Sequence, residues 1–388
     1  MQSNKLRMAI RATAAAAVLG VSAQAGAISF ETGGYETSIY GYARFNASYD
    51  FDNDNSLSTR SGSYANLAND SGVDGHFGAD AVQSRIGILT TTPQGVKINV
   101  EGDFRGAGNT IRLRHAYGEY NGVLMGQTWS NFTSFVGNTS TLDFDSLPGA
   151  AGLQSRSAQV RYTSGPLSLS LEQPSGDYFE NVGGAGPNQV LNSASSKDSF
   201  PAVTARLQDS AGGLSYAAAV LAHQVEYDTG ATDDSFIGFA TFGSLKMALT
   251  DMITIQGSLT YTDGANSYLY RSGDNFGAAS AYSNPANADL ESVSGYGGQV
   301  GAGINLGGGR SINIGYGMVE VDWDDAESDG VVNIGGQSEN NSAIMTNYQW
   351  TPIENVMMGV EYQFLKRENV DGSDGDGSRI LFAGQYNF

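Results

Sequence analysis

One stretch of alternation limits what this chain can fold into. From Ile39 the odd positions read Ile39, Gly41, Ala43, Phe45, Ala47, Tyr49 and Phe51, and the even ones Tyr40, Tyr42, Arg44, Asn46, Ser48 and Asp50. A period of two puts one set on each face of a β-strand. The run exceeds the usual strand of about five or six residues and suits a tilted strand crossing a membrane in ~9–11. Ile86 and Ile88 alternate with Arg85, and Thr92-Pro93-Gln94-Gly95 makes a tight turn. Val96, Ile98, Val100, Gly102 and Phe104 then alternate with Lys97, Asn99, Glu101, Asp103 and Arg105.

Strand-like runs continue from 38–51 to 378–388 and number about sixteen, an even count within the range of bacterial outer-membrane barrels. Short connections such as Thr92–Gly95, Asn121-Gly122 and Pro352–Asn355 alternate with long polar ones at 52–80, 132–156, 175–199, 264–291, 325–341 and 368–377. The expected fold class is therefore all-β: a transmembrane antiparallel barrel with short periplasmic turns and long extracellular loops. The last strand ends the chain with Ile380, Phe382, Gly384, Tyr386 and Phe388 on its outward face. Such a barrel must close, because an open edge in lipid leaves backbone groups unpaired.

Composition removes other classes. The 388 residues include no Cys, which excludes thiolate metal sites and cysteine nucleophiles, and 20 basic against 40 acidic residues disfavour nucleic acid. Lys5, Arg7 and Arg11, an apolar core from Ala12 to Val21, and Ala23-Gln24-Ala25 or Ala25-Gly26-Ala27 have the layout of a secretory signal peptide. Residues 1–27 are the expected leader and 28–388 the barrel, which then carries a net charge of −23.

Gln83-Ser84-Arg85-Ile86-Gly87, Glu101-Gly102-Asp103-Phe104, Leu113-Arg114-His115-Ala116-Tyr117-Gly118-Glu119, Gly126-Gln127-Thr128-Trp129-Ser130-Asn131-Phe132 and Gln159-Val160-Arg161-Tyr162 resemble the DcaP-like trimeric outer-membrane porins, densely over residues 38–175. The resemblance implies a sixteen-stranded homotrimer embedded in outer-membrane lipid that takes up small anions, dicarboxylates included. Some members carry a periplasmic coiled coil before the first strand. Only about ten residues separate Ile28 from that strand here, so the coiled coil is expected to be absent.

Arginine placement carries the expected selectivity. Arg44, Arg85, Arg105, Arg112, Arg114 and Arg161 lie in phase with the polar faces of their strands, and lipid would cost about 2–4 kcal/mol for each at the midplane. Facing the lumen, they would offer an anion successive weak sites. The alternative is a neutral wall in which they pair with Glu101 and Asp103. Segment 132–156 follows the fifth strand, where porins fold a constricting loop into the channel. Its Asp143 and Asp145 either face the arginines or serve as turn acceptors.

Asn121-Gly122 reads as a type I′ hairpin that sets Tyr120 opposite Val123. Extending that phase sends Gln127 and Trp129 inward, beside Arg112 and Arg114. It sends His115, Tyr117 and Glu119 outward, where a neighbouring subunit is expected to cover them.

Asp50-Phe51-Asp52-Asn53-Asp54 is similar to a calcium loop but lacks the Gly at position six and the Glu at position twelve, so no metal site and no cofactor are expected. His76, His115 and His223 sit in no nucleophile motif, so no enzyme is expected. The expected function is passive diffusion of small hydrophilic solutes with a preference for anions. The competing reading is a general or cation-preferring porin governed by its acidic loops.

Overall fold

The computed structural model describes residues 27–52, 64, 67, 74–176, 178–179, 190–191, 196–228, 230, 233–274 and 276–388. The expected leader, apart from Ala27, and Asp54 lie outside the described residues.

Sixteen antiparallel strands form one closed barrel. They are β1 (Tyr35–Asp50), β2 (Arg85–Thr91), β3 (Lys97–Asp103), β4 (Arg112–Tyr120), β5 (Val123–Trp129), β6 (Arg156–Ser164), β7 (Leu167–Glu172) and β8 (Ala202–Ala211). There follow β9 (Leu214–Asp228), β10 (Asp233–Ala248), β11 (Ile253–Asp263), β12 (Ser294–Gly307), β13 (Arg310–Asp322), β14 (Ser338–Ile353), β15 (Val356–Asn369) and β16 (Asp374–Asn387). Each pairs with its neighbours in sequence, and β1 meets β16 from Tyr42↔Asn387 to Asp50↔Arg379, closing the ring. No helix among the described residues is long and apolar enough to cross a membrane.

The alternation works as the barrel requires. On β1, Arg44, Asn46, Ser48 and Asp50 are buried on the inner face while Phe45 and Tyr49 are exposed on the outer one. Ile86, Ile88, Val100, Leu169, Leu259, Val300 and Ile314 continue the exposed apolar exterior around the ring. Hydrocarbon outside and water inside reverse the usual globular arrangement.

Two short strands complete β1. His76–Asp80 pairs with its upper half on the β2 flank. Ile28–Thr32 pairs with Tyr35–Ile39 on the other flank, in line with β16, so the residues just after the expected leader add a hairpin that the alternation did not reveal.

Between β5 and β6 the chain leaves the wall and lies inside the barrel. The base of this loop is closed by the Ser130 N–H donating to the Ser155 carbonyl at 3.0 Å, and by Leu153 N–H to the Phe132 carbonyl at 2.9 Å. Three apolar seats hold it. Phe132 and Ala151 pack against Ala202, Ala217, Ala219, Leu221 and Phe242 of β8–β10. Leu147, with Tyr64 and Leu67 from the first long connection, packs on Ala343, Met345 and Leu365 of β14 and β15. Leu142 packs on Leu381 and Ala383 of β16. Where the loop passes β12 the backbones nearly touch: Gly149 has φ +72°, and a Cβ there would sit 2.4 Å from the backbone of Gly298. The inner wall is therefore partly apolar, and those apolar positions are the loop's footings.

Candidate functional site

The inserted loop and the early strands enclose a cavity of about 460 Å³, lined by Arg44, Arg85, Arg112, Arg114 and Arg156 on the wall and by Asp143, Phe144 and Asp145 on the loop. Three of the arginines form a lattice with two carboxylates. Arg112 grips Asp103 with both ends of its fork, at 3.0 and 2.8 Å. Arg114 bridges Glu101 at 2.7 Å and Asp103 at 2.9 Å, and Arg85 lies 3.5 Å from Glu101. The neutral-wall alternative thus describes these three partly, since three guanidinium groups share two carboxylates. Among the described residues the Arg44 guanidinium bonds to neutral acceptors: the Asn46 and Gln385 side chains and the Leu142 carbonyl, the last at 2.5 Å. Arg105 lies over the Phe144 ring of the loop, 4.3 Å from its centroid, and Arg156 lies over Trp129 at 4.6 Å.

One irregularity re-aims β4. Glu101 faces His115 but the next residue, Gly102, faces Leu113, so Arg114 is an extra residue opposite no partner of its own. This is a β-bulge, which shifts the phase of everything beyond it. Arg114 and His115 are consequently both buried while Leu113 is exposed. The expectation that His115, Tyr117 and Glu119 face outward to a subunit interface is corrected. All three take the inner phase: His115 Nδ1 meets the Thr128 hydroxyl at 3.0 Å, and Tyr117 lines a lumenal cavity with Arg161. A bulge removes the problem of Glu119 facing hydrocarbon, so no covering subunit is needed for it.

Gln127 is corrected with them. It pairs with Ala116 on the outer face, and its amide donates to the Leu113 and Arg114 carbonyls at 3.3 and 3.2 Å. Those carbonyls belong to the bulge, so Gln127 satisfies the backbone there and lines no channel. Gly126 fits the same place: its φ is +129°, and a Cβ would lie 2.2 Å from the Ala116 carbonyl oxygen. Trp129 does reach the lumen, at the point where its strand ends and the chain turns inward.

Asp143 and Asp145 divide the two roles weighed for them. The Asp143 carboxylate accepts from the backbone N–H groups of Asp145 at 2.7 Å and Ser146 at 3.2 Å, which is turn chemistry, and from Gln363 at 3.1 Å. Both residues nevertheless line the cavity. Burial first, and then the charge of Asp145, push the Asp143 carboxyl above the usual carboxylate range.

The residue that sequence reasoning missed is Glu361. It is fully buried on the inner face of β15. Its carboxylate accepts from the Leu142 and Asp143 backbone N–H groups at 2.7 and 3.1 Å, from Asn347 at 2.9 Å and from Gln363 at 2.7 Å. Its phase, shared with Gln363, was readable; its partner in a loop far along the chain was not. Arg206, which donates to the Thr133 carbonyl of the loop, was missed for the same reason.

A closed barrel with an apolar exterior, a loop folded into its interior and a charged gap between loop and wall has the build of an outer-membrane porin. The family model described as DcaP outer membrane protein matches residues 22–209. The outer membrane channel DcaP of Acinetobacter baumannii superimposes with a TM-score of 0.75 at 26% identity, over 92% of this chain and 99% of that one. Residues 22–209 of the chain thus resemble the DcaP outer-membrane proteins, and its fold is that of the DcaP channel. The anion-selective porin from Comamonas acidovorans shares the fold at 12% identity, with a TM-score of 0.59 over 91% of this chain and all of that one. OmpT of Vibrio cholerae shares it at 10% identity, with a TM-score of 0.55 over 93% of this chain and 99% of that one. Among curated protein sequences none matches.

Proposed function

We propose that this barrel is a passive channel that favours small organic anions, dicarboxylates among them, and that it works as a homotrimer exported by its N-terminal leader. The observation that carries the reading is the charge balance of the gap: five arginines and two aspartates line it. Arg keeps its charge at every relevant pH and matches a carboxylate with its planar fork. A solute with two carboxylates can exchange one Arg partner while holding another, which favours passage without trapping. The DcaP channel and the trimer form of OmpT of Vibrio cholerae, which shares the fold, support the reading.

A second reading rests on the acidic surplus, part of which lies in the helix Asp324–Ser328. It makes the channel cation-preferring. Screening separates the two, since the Debye length is ~8 Å at physiological salt and loop charges fade while those in a narrow gap persist. The test is the reversal potential of purified protein in planar bilayers under a salt gradient, with chloride and then succinate as the anion. Anion preference that persists at high salt supports the proposal; cation preference at every salt concentration overturns it.

A further inference from the structure

A second cavity of about 270 Å³ lies on the other side of the inserted loop, toward the short-turn rim. Its lining includes Arg161 of β6, Arg206 of β8 and Lys246 of β10, with the hydroxyls of Ser210 and Ser215, and among the described residues no carboxylate. Ser210 and Ser215 flank the Ala211–Leu214 turn, which fixes this end as the periplasmic one. The first cavity instead includes Tyr270 and Phe276 of a long connection. Trp129 and Phe135 line both cavities, packed edge to face with ring centroids 4.9 Å apart.

The two cavities differ in how their cations are engaged. In the first, Arg85, Arg112 and Arg114 are tied to Glu101 and Asp103. In the second, Arg206 donates one Nη1–H to the Thr133 carbonyl at 2.6 Å, and its Nε is buried with no hydrogen-bond partner among the described residues. Arg161 and Lys246 form no ion pair among the described residues. Two carboxylates act on Arg161: Glu172 is already taken up by the Asn131 N–H and the Ser157 and Ser170 hydroxyls at 2.6 to 2.7 Å, and Glu119 stands farther along the wall. A buried N–H without an acceptor is costly, and an incoming carboxylate would relieve that cost.

We propose that Arg161, Arg206 and Lys246 form a second anion station that binds a carboxylate group of a small organic acid, in series with the first and separated from it by the Trp129–Phe135 pair. This rests on the anion-favouring reading and adds a distinct site to it. A solute entering from the long-loop side passes from the arginines of the first cavity, by the aromatic pair, to Arg161, Arg206 and Lys246. Two weak sites in series favour throughput over trapping.

The test is planar-bilayer recording of Arg161→Gln/Lys246→Gln beside the wild type, with succinate added to one side at a time. Sidedness is read from an Ala286→Cys label in a long connection, since the chain has no cysteine of its own. Arg206 is left in place because it also holds the loop. Expected is a roughly tenfold weaker current block by succinate from the short-turn side. Block from the long-loop side should stay within twofold of wild type, and an unchanged melting temperature of the detergent-solubilised barrel shows that the variant has folded. Unchanged block from the short-turn side in an anion-preferring channel overturns the second station alone. A wild-type channel that prefers cations overturns the reading beneath it as well.

Discussion

The Leu142 backbone N–H donates to the Glu361 carboxylate at 2.7 Å, although the two residues lie 219 positions apart. With the Asp143 N–H on the other carboxylate oxygen at 3.1 Å, one side chain of the wall holds the loop where it borders the arginine-lined gap. The width of that gap therefore depends on a residue that is not among its lining.

Replacing this anchor should release the loop. Glu361→Ala removes a buried acceptor of four hydrogen bonds, and hydrogen bonds to charged groups are worth ~1.5–3 kcal/mol each before the loop relaxes. Conductance is expected to rise by half or more, and the loop should become cleavable by protease in the folded barrel. A variant with wild-type conductance and a protected loop would show that the three apolar seats suffice.

The same corner sets a pH dependence. The Asp143 carboxyl is raised above its ordinary value, so the seated loop holds this proton more tightly than a released loop does. Loop seating is then strongest at acidic pH and weakens as pH rises from the ordinary carboxylate value through the raised one. The groups around Asp143 are Asp145, Glu361, Arg44 and Arg271, and Asp145 contributes most to the shift after burial. Conductance should fall as pH is lowered from 7 to 4. Asp143→Asn should flatten that curve, and a variant as pH-sensitive as wild type would place the titration elsewhere.

Arg114 and Arg156 should separate stability from selectivity. Arg114 is 2% exposed and bridges two buried carboxylates, so Arg114→Gln is expected to cost about 3–5 kcal/mol and lower the melting temperature of the detergent-solubilised barrel. Arg156 has an aromatic neighbour and no ion pair among the described residues. Arg156→Gln should leave melting unchanged and reduce the chloride-to-potassium permeability ratio roughly twofold. Equal melting losses in both variants would contradict this division.

The bulge at Arg114 predicts which side chains water can reach. Single cysteines replacing Tyr117 and Glu119 should react with a small charged thiol reagent entering through the lumen. Cysteine replacing Leu113, which is 49% exposed on the outer face, should be shielded by the bilayer. The opposite pattern would restore the simple phase.

That phase marks the limit of what the sequence made legible. Period-two patterning located every barrel strand, and the two-residue turn at Asn121-Gly122 was read with its Tyr120↔Val123 pairing. Propagating the phase backward along β4 failed, because a bulge inserts one residue without interrupting the strand. The clue was present as a conflict: an unbroken alternation from Arg112 put Glu119 in hydrocarbon, and a slipped residue resolves that more cheaply than a second protein. The arginines were found because charge cannot face lipid. Glu361 was not, because a carboxylate in the lumen satisfies that same rule whether it lines water or holds a loop.

Strand β1 has two occupants along one flank, Ile28–Thr32 beside its lower residues and β16 beside its upper ones. The first can dock as soon as it is made, being a few residues away. The second lies far along the chain, and the backbone amide and carbonyl of Phe388 bond to those of Gly41. A nascent copy therefore carries half of its seam from the start and finishes the other half only when β16 has been made and brought round to β1. Without β16 the flank of β1 would stay bare within hydrocarbon, so one strand ties closure of the ring to its most distant partner.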